Sequence, residues 1–146
     1  MDEMILKILS TIPSSNITRN FVESVINRLI SFGYPPKDVD LWELSFIMLD
    51  VENRIKNSCN TTSIPEGLNC VAVDMICGQF LMNRKNSGRL ELSTLDLNGA
   101  ITSITEGDVS ISFDADTTDE QKFNQLIDYL MTKGEGEFVC YRKLKW

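Results

Sequence analysis

The sequence predicts a mainly α protein: a bundle of about four helices, a β-hairpin and an extended C-terminal tail. Three observations predict it. Apolar residues recur at spacings of three and four over long stretches of the first 85 and of residues 117–133. Val109, Ile111 and Phe113 alternate with polar residues after Glu106-Gly107-Asp108. The last ten residues, E-F-V-C-Y-R-K-L-K-W, crowd aromatic and cationic side chains together.

Taken in order, residues 1–15 read as an arm or a short helix, Met4 to Ile12, ended by Pro13. Asn16 or Thr18 can cap a helix that carries Phe21, Val22, Val25, Ile26, Leu29 and Ile30. Gly33 and Tyr34-Pro35-Pro36 stop it. Asp38 or Asp40 is the cap of the next, with Glu43 in a capping-box position. Its stripe is Leu41, Trp42, Leu44, Ile47, Met48, Val51 and Ile55, flanked by Phe46, and it runs out near Lys56-Asn57-Ser58.

Pro65 suits the first position of a third helix with Leu68, Val71, Ala72, Met75, Ile76, Phe80 and Leu81 on its face. Cys70 and Cys77, seven apart, read as small buried residues there. Asn83 to Gly88 is a polar loop, and Leu90 to Asn98 has no clear period. Residues 99–113 read as the hairpin: Ile101 to Ile104 pairs with Val109 to Phe113 across Thr105-Glu106-Gly107-Asp108. A lone hairpin is marginal in water and needs support from helices, a third strand or a neighbouring subunit. Thr117 or Thr118 caps a last helix bearing Phe123, Leu126, Ile127, Leu130 and Met131, and Gly134 ends it. The chain reads as one domain, with residues 18–85 as its helical core.

Composition narrows the chemistry. The chain has 146 residues, a net charge of −7 and no histidine. That removes the commonest general base and metal ligand. The four cysteines, at 59, 70, 77 and 140, form no C-x-x-C pair. There is no phosphate-binding glycine loop. Asp114/Asp116 and Asp119/Glu120 lack the spacing of a calcium loop and read as a solvated helix entry. No catalytic, cofactor or metal residues are assigned, and an enzyme is not expected. No apolar run approaches the ~18 residues of a membrane span. The acidic opening M-D-E-M is unlike a secretory leader, so synthesis in the cytoplasm is expected.

Charge is unevenly placed. Residues 99–137 hold nine Asp/Glu and two Lys, whereas Phe138 to Trp146 holds Arg142, Lys143 and Lys145 and no acid. A terminus is normally polar and frayed. One built of Tyr141, Arg142, Lys143, Leu144, Lys145 and Trp146 reads either as a docking element or as a final edge strand with Val139, Tyr141 and Leu144 facing inward.

Three segments resemble the head–tail connector (adaptor) proteins of tailed bacteriophages, in the form common among phages and prophages of Gram-positive hosts. They are the helix pair ending in V-E-N-R-I-K-N-S-C-N (Val51 to Asn60) with I-P-E-G-L (Ile64 to Leu68) and the helix after it, the hairpin E-G-D-V-S-I-S-F (Glu106 to Phe113), and the ending Y-R-K-L-K-W (Tyr141 to Trp146). In order, they span residues 18–146. The resemblance implies a structural virion protein of the neck with no enzymatic activity and no cofactor. It implies a homo-oligomeric, typically dodecameric, ring between the portal protein and the stopper or tail-completion proteins, with DNA as passing cargo and no membrane. Tyr141 to Trp146 would dock on the portal. Glu106, Gly107, Asp108, Val109, Ile111 and Phe113 would contact a neighbouring subunit. Two alternatives stay open: a tail-completion or tail-terminator protein, and a small DNA-associated regulatory protein with a helix-turn-helix. Against the latter, neither early helix has a basic face.

Overall fold

The computed structural model describes residues 1–13, 15–105 and 117–141. Their regular structure is helical: α1 (Asp2–Thr11), α2 (Arg19–Ser31), α3 (Leu41–Cys59), α4 (Asn69–Asn86), α5 (Leu97–Thr105), α6 (Asp119–Thr132) and the single turn α7 (Phe138–Tyr141). The mainly α reading therefore holds.

α4 is the axis of the molecule. It packs against α2, α3 and α6, while α1 covers α2 and α3, α5 lies on α6, and α7 lies on α3. Eleven of its eighteen residues are buried, and they point in every direction around the helix. The predicted stripe from Leu68 to Leu81 is all inside. A helix apolar all round is what a bundle needs at its centre. Small residues set the closest approach: a Cβ added at Gly78 would stand 3.0 Å from Leu130 Cβ of α6. Gly134 likewise leaves no room for a side chain beside Val71.

Helix ends follow local chemistry. Thr18 caps α2, its hydroxyl accepting from the Phe21 N–H. Thr118 and Gln121 form a reciprocal capping box on α6. Gly33 closes α2 at φ +92°. Its N–H donates to Ile30 and that of Tyr34 to Leu29, the Schellman arrangement. Gly33 also abuts the backbone of Leu95 and Asp96, and the Asp96 N–H donates to the Phe32 carbonyl at 2.9 Å. The turn at Gly33 thus fastens the long connection after α4 onto the end of α2. Asn60 ends α3 at φ +56°, a conformation its short polar side chain tolerates.

Several sequence expectations are corrected. Ile101 to Ile104, read as the first hairpin strand, belongs to α5. Leu97, Ala100 and Ile101 are spaced three and one apart and are all buried, which only a helix achieves. The Asp96 carboxylate accepts from the Gly99 N–H and starts the turn. This local cap outweighs the β-branched character of the segment. The hairpin residues Glu106, Gly107, Asp108, Val109, Ile111 and Phe113 lie outside the described residues.

Phe138–Tyr141 is a helical turn, so the edge-strand reading fails for Tyr141, while Arg142 to Trp146 lie outside the described residues. α4 begins at Asn69 because Pro65 opens a separate 3-10 turn, Glu66–Leu68, and it continues through Asn83 to Asn86. Cys70 is exposed at the first turn of α4, before the neighbouring helices close over it, whereas Cys77 is buried. Trp42 is 67% exposed, because its neighbours Leu41 and Leu44 face the core and leave it pointing the other way.

Replacing Gly33 by Ala is expected to lower stability by more than about 1 kcal/mol. The new Cβ would meet the Asp96 amide at 2.8 Å. Urea unfolding followed by far-UV circular dichroism measures the difference. An unchanged midpoint would contradict the described packing of this turn.

Candidate functional site

Three charged side chains of the interior organise the molecule's surface features. The first is Arg84 near the end of α4, 6% exposed. Its Nη2 is 2.5 Å from Asp40 Oδ1 and its Nε 3.1 Å from Glu43 Oε2. Neither Asp40 Oδ1 nor Arg84 Nε has an aligned hydrogen-bond partner among the described residues, so the attraction is mainly that of opposite charges. The other Asp40 oxygen accepts from the Lys37 N–H at 2.9 Å and the Tyr34 hydroxyl at 3.0 Å. Asp40 therefore does not cap α3 through its side chain; it turns inward to Arg84. The Arg84 guanidinium also lies 5.2 Å over the Phe80 ring, against which Tyr34 packs edge-on at 5.4 Å. Burial, and then the Asp40 charge, push the Tyr34 hydroxyl up to about 12.

The second is Asp74, buried in mid-α4. One oxygen is 3.0 Å from Arg28 Nε of α2 and the other pairs with Lys133 at the end of α6. One carboxylate thus ties three helices. Nearby, the buried Cys77 thiol donates to the Val25 carbonyl at 3.7 Å, and burial raises its pKa well above the ordinary thiol value.

The third is Glu52 of α3, 3% exposed. Its Oε2 accepts from the Ser15 hydroxyl at 2.9 Å and the Asn16 N–H at 3.2 Å, which holds the α1–α2 connection. Asn16 in turn donates to the Thr62 carbonyl at 2.8 Å. No cation among the described residues pairs with Glu52.

Glu52 and Asp74 both line a groove of about 940 Å³. Its lining includes the apolar Ile17, Phe21, Ile64 and Val73 and the polar Asn20, Asn27 and Asn69, with the exposed Cys70. Glu66, Arg28 and Lys133 also line it. No group of three or more Cys, Asp or Glu among the described residues is placed to hold a metal.

A separate feature lies at the start of α3. Val39, Trp42 and Phe46 are 77%, 67% and 61% exposed, and the two rings sit 5.7 Å apart. Spacings of three and four put them on one face, with half-buried Leu49 continuing it. Asp38 and Asp50 are exposed beside it and Glu43 is partly so. Spacing alone assigned Trp42 to the core, and only the helix's rotation within the bundle reveals the stripe.

Of the residues predicted to dock, Tyr141 is described. It is partly exposed on α7, with its hydroxyl end filling the space beside Gly67. α7 is fixed on α3 through Cys59, whose thiol donates to the Phe138 carbonyl at 3.6 Å. Burial raises the Cys59 pKa. Arg142, Lys143, Leu144, Lys145 and Trp146 lie outside the described residues. The structure also brings forward Glu52, Asp74 and Arg84, which sequence reasoning passed over. Their signal was a charge set inside an otherwise apolar helical face.

No helix among the described residues is long and apolar enough to cross a membrane. Comparison with family models, with curated proteins and with solved structures finds no match.

Removing the Arg84 charge with Arg84→Met is expected to cost about 3–5 kcal/mol, because Asp40 is left buried and uncompensated. Asp40→Asn combined with Arg84→Met should recover part of that loss. Equal unfolding midpoints for the double and the single variant would contradict the pairing. In an alkaline titration followed near 295 nm, one of the three tyrosines should ionise at about 12. Because the folded pKa is raised above that of the unfolded chain, Tyr34's contribution is complete below pH about 10 and lost toward about 12. Tyr34→Phe should remove that part of the pH dependence.

Proposed function

We propose that this protein is a structural component of a phage neck, a ring that joins the portal of a DNA-filled head to the tail. In this reading it has no catalytic role. The chain is made in the host cytoplasm and ends in the virion. Its partners are the portal protein, a stopper or tail-completion protein, and other copies of itself in a dodecameric ring. The C-terminal segment Tyr141 to Trp146 is the portal-docking element, and DNA passes through without being read.

The observation that carries this reading is an unsatisfied surface on a well-packed core. Val39, Trp42 and Phe46 form an apolar stripe open to solvent, flanked by acids. Exposed aromatic patches on a protein with a complete interior mark surfaces that another molecule covers. The cationic, aromatic chain end is a second such feature, and its only described part, Tyr141, is anchored rather than loose. The net charge of −7 suits a channel to which a DNA backbone must not adhere. Rings of identical subunits form by head-to-tail contacts between different surfaces of the same chain, which suits a molecule with two unlike sticky regions.

Truncation after Tyr141 tests the docking role. In this reading the shortened chain should keep its helical circular dichroism and its unfolding midpoint. It should lose co-purification with the portal protein. Retained portal binding would remove the tail from the docking role, and a molten truncated chain would return it to the core.

A further inference from the structure

We infer that the aromatic stripe at the start of α3 seats in the groove of a second copy of this chain, between its α2 and α4, so that copies join head to tail. This rests on the neck reading for the expectation that copies meet, and adds the two surfaces through which they do.

The stripe has the form of an inserting helix face. Val39, Trp42, Phe46 and Leu49 stand at i, i+3, i+7 and i+10, the anchor spacing with which a helix lays one side into a groove. The first three are exposed, the two rings sit 5.7 Å apart, and the exposed Asp50 follows one turn after Phe46. The groove of the same chain is out of its reach, because both belong to one packed body. Glu52, which lines that groove, stands roughly a quarter of a turn round α3 from Trp42 and a third of a turn from Phe46.

The groove of a second copy matches the stripe in length and in charge. Its α2 lining runs from Asn20 to Ser31, about 16 Å along the helix, and Val39 to Leu49 covers about 15 Å. Arg28 and Lys133 both contact the Asp74 carboxylate, and their side chains remain 30% and 24% exposed. Two cations on one acid leave that end of the groove net positive. The other acids in the lining, Glu52 and Glu66, belong to the opposite end, where α2 begins. There Glu52 accepts from the Asn16 N–H, and Asn16 donates to Thr62, four residues before Glu66.

These charges fix the direction of docking. Asp50 lies about 12 Å beyond Trp42 along α3, and Arg28 about 10 Å beyond Phe21 along α2. With the two helices parallel, Trp42 meets the apolar lining of Ile17, Phe21, Ile64 and Val73 while Asp50 meets Arg28 and Lys133. Arg54, one turn further, falls past Ser31, the last α2 residue of the groove. At the start of the stripe Lys7 bridges Glu3 and Asp38, and Lys37 is exposed beside them, so the charge there is balanced and does not repel Glu52 and Glu66. Glu43 is turned to Arg84. The reversed direction would set Asp50 against Glu52 and Glu66, a like-charge contact that an interface avoids. A contact between unlike surfaces leaves each copy with one stripe and one groove to offer, so association propagates and closes into a ring where the rotation allows.

The test mixes two variants of the full chain. Trp42→Ser with Phe46→Ser removes the stripe, and Ser24→Glu with Asn27→Glu closes the groove to it. All four positions are exposed in the single chain, and far-UV circular dichroism checks that each variant keeps its helices. In sedimentation velocity the parent should grow in mass with concentration, and each variant alone should stay monomeric. Their equimolar mixture should form a dimer and nothing larger, because one intact stripe meets one intact groove and neither end can extend. Asp50→Lys should weaken the parent's association several-fold, and less at high salt; it replaces the serine variant should that one fail to fold. A parent that stays monomeric at the highest concentration it tolerates overturns the inference. Association of the groove variant by itself overturns it too and sets stripe against stripe, and a mixture that stays monomeric does the same for the pairing of stripe with groove. Co-purification with the portal protein is scored separately. A parent that binds the portal but never associates with itself defeats this inference and leaves the neck reading intact, and a chain that associates as described without binding the portal does the reverse.

Discussion

The whole arrangement depends on one constraint: α4 must be enclosed on all sides although it carries Asp74 and Arg84. Each charge has to meet an opposite charge in the interior, and each partner sits on a different element. Asp74 requires Arg28 of α2 and Lys133 after α6. Arg84 requires Asp40 and Glu43 at the start of α3. Hydrophobic burial would allow these helices to rotate and slide against α4. The ion pairs fix the rotation, since a slip of one residue would bury an unpaired charge. This fixed rotation of α3 is what turns Trp42 and Phe46 outward and Glu52 toward the groove. The surface features follow from the interior pairs.

Much of this was legible in the sequence, for identifiable reasons. The period of Phe21 to Leu29 and of Phe123 to Leu130 marks one buried face, and those residues are buried. Thr18, Gly33 and Thr118 act as the local chemistry of helix ends demands. What was not legible depends on long-range contacts. Residues 97–105 contain β-branched residues that suit a strand, and only the cap at Asp96 and packing on α6 decide for a helix. Trp42 fits the period of its helix loosely enough to be assigned to either face. The burial of Glu52 could be suspected from its place between Met48 and Ile55, but its partners, Ser15 and Asn16, are more than thirty residues away. The groove exists only once α2, α3 and α4 have been assembled.

The proposed role in a phage neck makes sense of a molecule with a complete core and unlike docking features at separate places. The acid-flanked aromatic stripe lies at the start of α3, and the basic chain end departs near the other end of the same helix. A subunit built this way offers different surfaces to different neighbours, as a ring layer between two other layers must. Charge is the common means: acids dominate the body, cations the terminus.

The most direct test of the central claim is to quantify peptides of this chain against those of the portal protein in purified particles. A molar ratio near one is predicted, as for a ring matched subunit for subunit to the portal. About half would assign the chain to a sixfold tail-side component. Its absence from the particles would contradict the proposed role outright.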